Sequence, residues 1–264
     1  MNSQARFDYL RVSVGHDYDL AQQAYNYMRK LLEEIKAVQG VEGGFGYRPM
    51  YNSQTATREY FIDIWGNLAQ AAVEIHSEYL AAFGLRRADV RMPLEGVTER
   101  GLKGLSRVLA GRPRGRRNVN VFNSATRSKE GGRHAGGTGV AIGSHKSEWR
   151  GSIYKRGSEP AAMEGQYQGA KLRDFCGRFL KYGDDPRTLR QQWIDLLDEL
   201  AHDTEMRMMD MLGIESYELA AILRGEQSPL LVADDGDRFE QLSLLFDSLP
   251  PSQQRAWLAQ RGKA

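Results

Sequence analysis

Residues 142–159 read IGSHKSEWRGSIYKRGSE and set one tyrosine, Tyr154, among cations. The alternation in WRGSIYKR predicts a strand with Arg150, Ser152, Tyr154 and Arg156 on one face. Trp149, Gly151, Ile153 and Lys155 fall on the other. Cations beside a phenol favour its phenolate, and the same cations hold a phosphate oxygen. Such a tyrosine can attack a phosphodiester, usually with a divalent metal polarising the phosphate. The same residues also describe a strand tyrosine packed on arginine by cation–π contact. On these residues alone both readings stand.

Two further sets of residues bear on that chemistry. Asp89 lies inside RRADVRM and Glu164 inside MEGQYQG, with Glu95 and Glu159 close to strand ends. Carboxylates converging across a sheet form an oxygen site for Mg²⁺ or Mn²⁺. Equally, Asp89 could serve only to neutralise Arg86, Arg87 or Arg91. The second set is the stretch from Arg112 to Arg133, which holds Arg112, Arg114, Arg116, Arg117, Arg127, Lys129 and Arg133; Lys146 and Lys155 follow. Arginines interleaved with Asn, Ser and Thr contact phosphates more than base edges. DNA is the expected partner, RNA satisfies the same argument, and a solvated arginine-rich loop is the plain alternative.

The charge distribution supports a polyanion. The net charge of the 264-residue chain is only +2. Residues 86–156 nevertheless carry 17 Lys and Arg against 5 Asp and Glu, whereas residues 184–264 carry 8 against 16. A basic middle of that density is the electrostatic footprint of a nucleic-acid binder. Other chemistries lack their residues. There is no GxxxxGK[ST] phosphate loop, no dinucleotide fingerprint, no HExxH and no GxSxG. No His-hydrophobic-His pair occurs among His16, His76, His134, His145 and His202. The single cysteine, Cys176, excludes an internal disulfide framework and a cysteine zinc cage. No apolar run approaches a membrane span, and MNSQARFDYL lacks a secretory core, so the expected location is the cytoplasm.

The elements that must position these residues follow from periodicity. RFDYLRVSV (6–14) alternates as a strand, and DLAQQAYNYMRKLLEEIKAVQG (19–40) is a helix stopped by Gly40. GFGYRPMY and REYFIDIWG read as a hairpin or two neighbouring strands, and AAVEIHSEYLAAFG is ambiguous between strand and helix. LRRADVRM is a strand, and 98–111 a helix with Thr98 as N-cap. Three short strands follow around 139–168, and helices dominate after Gly169. Asp185 with Pro186 marks a helix start and Gly213 a stop, while the methionines of 206–213 suit packing better than binding. The pattern predicts an α+β fold, an antiparallel-rich sheet with packed helices, followed by a helical C-terminal region. The domain boundary is placed at 183/184, where the acidic helical region begins.

At this point the residues resemble a known family. IGSHKSEWRGSIYKRGSE is similar to a stretch shared by rolling-circle replication initiation factors of plasmids and filamentous phages and by related conjugative nickases, approximately YIGSRxSxxxxRxYDKGxE. In the family's order, FDYLRVSV resembles its opening strand, GFGYRPMY its Gly-x-x-x-Tyr hairpin, RRADVRM its Arg-x-Asp strand, and MEGQYQGAKLRDF its R-x-E-x-x-x-x-G strand and helix. The resemblance spans roughly residues 6–180. It departs at Pro93, where the family often carries a second acid, at Ala162, where it often carries arginine, and at Arg156, which takes the place of a lysine.

The resemblance implies an enzyme that nicks one DNA strand at a replication origin. The tyrosine becomes linked to the 5′-phosphate and leaves a 3′-OH primer. Tyr154 is then the nucleophile, with Arg150 and Arg156 beside it. Asp89 and Glu164, with Glu95 as a substitute for the missing acid, are the implied ligands of Mg²⁺ or Mn²⁺. The ester keeps the energy of the broken bond, so religation needs no ATP, which suits the missing phosphate loop. A host helicase and a second copy of the chain are the implied protein partners, with the acidic tail as their contact surface or simply a solvated cap. A conjugative relaxase shares this chemistry. A DNA-binding protein without catalysis, or an RNA-binding domain, would use the same basic block.

Overall fold

The structure is a computed structural model of the chain. It describes residues 5–52, 56–110, 119–122, 137–144, 146–156, 159–181, 186–213 and 216–226. The elements in order are β1 (Arg6–Gly15), α1 (Tyr18–Gln39), β2 (Gly43–Asn52), β3 (Thr57–Gly66), α2 (Asn67–Ala81), β4 (Gly84–Leu94) and α3 (Glu99–Ala110). Then come β5 (Val119–Phe122), β6 (Gly137–Ile142), β7 (Trp149–Arg156), β8 (Ala161–Gln168), α4 (Gly169–Phe179), α5 (Pro186–Leu212) and α6 (Ser216–Arg224). The fold is α+β. Among the described residues one eight-stranded sheet runs in the order β2-β3-β1-β4-β8-β7-β6-β5, and every pairing in it is antiparallel.

Local chemistry explains the element ends. Asp17 caps α1 by accepting a hydrogen bond from Leu20 N, and Gly40 ends it in the left-handed region. Thr98 caps α3 by accepting from Gly101 N at 2.9 Å, as its sequence position suggested. The ambiguous segment 71–84 belongs to α2 up to Ala81. Ala72, Val73 and Leu80 there are buried in the common core, which rewards the helical period over the strand period.

The sheet alternates in the expected way. Leu10, Val12, Ile62, Ile64, Val90, Met163, Tyr167, Ile153 and Val140 point to the face on which the helices pack. The long α5 is part of that core. Its Trp193 meets Phe7 edge-on at 5.7 Å, and its Thr204 hydroxyl lies 2.8 Å from the Tyr167 hydroxyl. A methyl group on Gly165 would stand 2.0 Å from Thr204 Oγ1, so that glycine sets how closely α5 approaches β8. Met208 is fully buried, in line with a packing role for the methionines, although Met206 is exposed. The helices expected at FEQLSLLFDSL and PSQQRAWLAQR, near the C-terminus, lie outside the described residues. No helix of the described residues is long and apolar enough to cross a membrane.

Candidate active site

The second face of the sheet carries the polar chemistry, and strand register decides what meets there. One row across it runs Trp65, Tyr9, Asp89, Gln166, Arg150. The row on one side runs Asp63, Arg11, Arg87, Gln168. The row on the other side runs Arg91, Glu164, Ser152, and beyond it Pro93, Ala162, Tyr154, Gly139. Alternation therefore places Arg150, Ser152 and Tyr154 together on β7, as the sequence predicted, and brings Asp89 and Glu164 onto the same face from β4 and β8.

Tyr154 and Glu164 are diagonal neighbours, and the tyrosine hydroxyl donates to Glu164 Oε2 at 2.8 Å. Both are buried, at 1% and 7% exposure. The Arg91 guanidinium sits 5.8 Å from the centre of the Tyr154 ring and is held on its other side by Glu159 at 3.0 Å. Burial alone would lower the Arg91 pKa. The charge of Tyr154, the hydrogen bond donated to Glu159 and the charges of Asp8 and Glu159 instead hold it above its ordinary value. A negative charge developing on the phenol thus has a fixed cation beside it.

Asp89 is fully buried, and its two oxygens receive Arg87 Nε at 2.7 Å and Arg87 Nη2 at 2.6 Å. That is the bidentate geometry in which a guanidinium binds a carboxylate most firmly. Of the three arginines weighed as its counter-ion, Arg87 is the one found in this clamp. Glu95 stands in the turn after β4, exposed and six residues beyond Asp89, which is about 20 Å along an extended strand. It does not join the other two acids. Among the described residues no three His, Cys, Asp or Glu side chains are grouped to hold a metal ion. A Mg²⁺ or Mn²⁺ needs several oxygens with lone pairs to spare. Here Asp89 is clamped by Arg87 and Glu164 accepts the tyrosine proton, so the donors as arranged do not fit such an ion. The metal expectation gains no support from the geometry.

Of the remaining expected residues, Lys146 is exposed in the turn before β7, and Lys155 is half-buried near the end of that strand, on the face opposite Tyr154. Arg156 closes β7, and only its backbone is described. Arg112, Arg114, Arg116, Arg117, Arg127, Lys129 and Arg133 lie outside the described residues.

Sequence reasoning missed a second cluster on the same face. Arg11 donates from Nε to Asp63 Oδ1 at 2.7 Å and from Nη2 to Asp63 Oδ2 at 3.1 Å and to the Tyr9 hydroxyl at 2.8 Å. Arg48 reaches Asp63 at 3.5 Å, and Arg87 lies 4.6 Å over the Tyr9 ring. Burial, chiefly, pushes the Tyr9 phenol up to about 12, and its hydrogen bond to Asp63 adds to the rise. Arg11 and Asp63 are 52 positions apart along the chain, so only the β1–β3 register brings them together.

No protein-family model matches the chain, and no curated protein matches it. Among solved structures the chain is similar to a rolling circle replication initiator protein from Geobacillus stearothermophilus. That likeness covers 75% of this chain and 97% of the other at 11% identity, with a TM-score of 0.38. At that score and identity the likeness decides neither family nor chemistry, and the functional argument rests on this chain's own residues.

Proposed function

We propose that this protein is a nicking-joining transesterase that acts on a DNA strand, with Tyr154 as nucleophile, and that it initiates rolling-circle replication. The observation that carries the reading is the buried pair of Tyr154 and Glu164, 2.8 Å apart beside the Arg91 guanidinium. In the reaction, Glu164 takes the phenol proton as the tyrosine oxygen attacks phosphorus. The new bond joins Tyr154 Oη to the 5′-phosphate. The bond that breaks is from phosphorus to the 3′-oxygen, which takes a proton from water and leaves as a 3′-OH, while the proton held by Glu164 returns to water. Reversal rejoins the strand without an external energy source. Arg91 stabilises negative charge on the attacking oxygen, and the basic middle of the chain attracts the DNA. Because the pair is buried, a phosphodiester reaches the phenol only once whatever covers it has moved aside. The organisation as an α+β nicking unit over 1–183 with an acidic helical region over 184–264 belongs to this proposal, as does an assembly with a host helicase or a second copy.

The competing reading is a DNA-binding protein without catalysis, favoured by the Arg87–Asp89 clamp, which is an ordinary way to stabilise a buried acid. The test is incubation with labelled supercoiled plasmid and single-stranded DNA, with and without Mg²⁺ or Mn²⁺, followed by denaturing electrophoresis. A DNA–protein adduct that disappears in Tyr154→Phe supports the transesterase. Tight, salt-sensitive binding with no adduct under any condition overturns it in favour of the binding protein.

A further inference from the structure

Trp65 is an unusual residue on the second face. It lies on β3, remains 38% exposed, and sits against the backbone of β2 at two glycines. A Cβ on Gly44 would stand 2.7 Å from Trp65 Cζ2, and one on Gly46 would stand 3.6 Å from Cζ3. The missing side chains at Gly44 and Gly46 therefore let one face of the indole lie on the strand while the ring keeps contact with solvent. The ring borders a cleft of about 620 Å³ that Tyr9, Arg11, Arg48, Arg87 and Arg91 also line.

The charges of that cleft are not evenly paired. Its acids are Asp8, Asp63 and Glu159. Arg91 is held by Glu159 and Arg87 by Asp89. Asp63 already takes two hydrogen bonds from Arg11, so Arg48, 59% exposed at 3.5 Å, shares a carboxylate that is committed elsewhere. A flat, half-exposed indole and an exposed guanidinium lining one cleft are groups that can take a base on one and a phosphate on the other. Duplex bases are stacked on their neighbours and cannot offer a free face. An unpaired base can.

We propose that Trp65 is a stacking platform for one unpaired base of the bound DNA strand, with Arg48 holding the adjoining phosphate. This rests on the reading that the substrate is a DNA strand. Four strand spacings separate β3 from β7, about 19 Å, so the captured base lies several nucleotides from the phosphodiester at Tyr154. The platform would hold the strand in its melted form and set its register on the sheet.

The test compares two probes of equal length and charge, oligo(dT) and an oligomer of abasic residues, by fluorescence anisotropy at fixed salt. The wild-type protein is expected to bind oligo(dT) about five-fold or more tightly than the abasic oligomer, the range of one base–aromatic stack. Trp65→Ala loses that preference and Trp65→Phe keeps part of it. Gly44→Ala, which pushes the ring away without removing it, weakens it. Arg48→Gln weakens both probes alike. A Trp65→Ala protein with an unchanged thermal transition that still prefers oligo(dT) overturns the platform. So does a wild-type protein that forms the Tyr154 adduct but shows no preference between the probes. A wild-type protein that binds neither probe overturns the platform and the DNA-strand reading together.

Discussion

Tyr9 and Tyr154 stand on the same face of one sheet, on β1 and β7, both buried and both beside a carboxylate and an arginine. Their surroundings nevertheless suit opposite tasks. Around Tyr9 the acids are engaged in two-point clamps: Asp63 receives two hydrogen bonds from Arg11, and Asp89 two from Arg87. Asp63, so held, lies below the usual carboxylate range, and the Tyr9 phenol, raised to about 12, keeps its proton. Tyr154 donates to Glu164, and its nearby guanidinium, Arg91, faces the ring. The same three residue types thus build a structural network at one end of the face and, in the proposed mechanism, a proton-transfer pair at the other.

The largest expected effect separates the two tyrosines outright. Tyr154→Phe should abolish the covalent DNA adduct, because no oxygen remains to form the ester. Tyr9→Phe should leave adduct formation within a few-fold of wild type. An adduct that survives Tyr154→Phe and vanishes in Tyr9→Phe would reverse the assignment. Next in size is the base. Glu164→Gln keeps the shape and the hydrogen bond but cannot accept the proton, so single-turnover adduct formation should slow by about 10²–10⁴, with DNA affinity unchanged. Asp63→Asn, on the structural side, should alter that rate little. Equal losses in the two variants would mean that neither acid acts as a base.

A third comparison reads stability rather than rate. Asp89→Asn leaves the Arg87 guanidinium, itself partly exposed, beside a neutral amide at a fully buried position. Breaking one partner of a buried ion pair costs about 3 kcal/mol or more, and urea unfolding should show it. Glu164→Gln retains a hydrogen-bonded partner for Tyr154 and should cost about 1 kcal/mol. If Asp89→Asn proved as mild as Glu164→Gln, the clamp would not be holding the β1–β4–β8 centre of the sheet.

The parts of the site that were legible in sequence are those within one strand. WRGSIYKR carries its own period of two, so the placement of Tyr154 with Arg150 and Ser152 followed from alternation alone. The hairpin β2–β3, the Gly40 stop and the Thr98 cap were legible for the same local reason. Arg91 was weighed only as a counter-ion of Asp89, whereas it lies between Tyr154 and Glu159. Nothing local could have said so, because its partners come from β7 and the loop before β8. The Tyr9, Arg11 and Asp63 cluster was invisible for a stronger reason. It depends on the β1–β3 register and on a β-bulge between Phe7 and Tyr9 in the pairing with β4 that changes which β1 residues face Asp89 and Arg87. The exposure of the Trp65 ring depends on the β2–β3 register, which sets Gly44 opposite it and leaves room for the indole on the strand.

The smallest expected effect is a pH dependence, and it tests the structural end of the face from both sides. Burial alone would raise the Asp63 carboxyl pKa. The hydrogen bonds from Arg11 and Tyr9 and the charges of Arg11 and Arg48 hold it below the usual range instead. A depressed folded-state pKa means that the unfolded chain binds the proton first as pH falls. The stabilisation is therefore fully present above about pH 4 and is lost as pH drops through the folded value. Tyr9 works in the opposite sense. Its phenol lies at about 12 against an ordinary 10.0, so the folded state prefers it protonated. That contribution is present below pH 10 and is lost as pH rises towards 12. Chemical unfolding of wild type and Asp63→Asn should thus differ near neutrality and converge on acidification. Wild type should lose stability relative to Tyr9→Phe on moving from pH 9 to pH 11.5, by about 1–2 kcal/mol once solvent screening is allowed for. A wild-type curve parallel to Tyr9→Phe across the alkaline range would mean that the Tyr9 phenol ionises as freely as one in solvent. The contrast with Tyr154 would then lose its electrostatic basis.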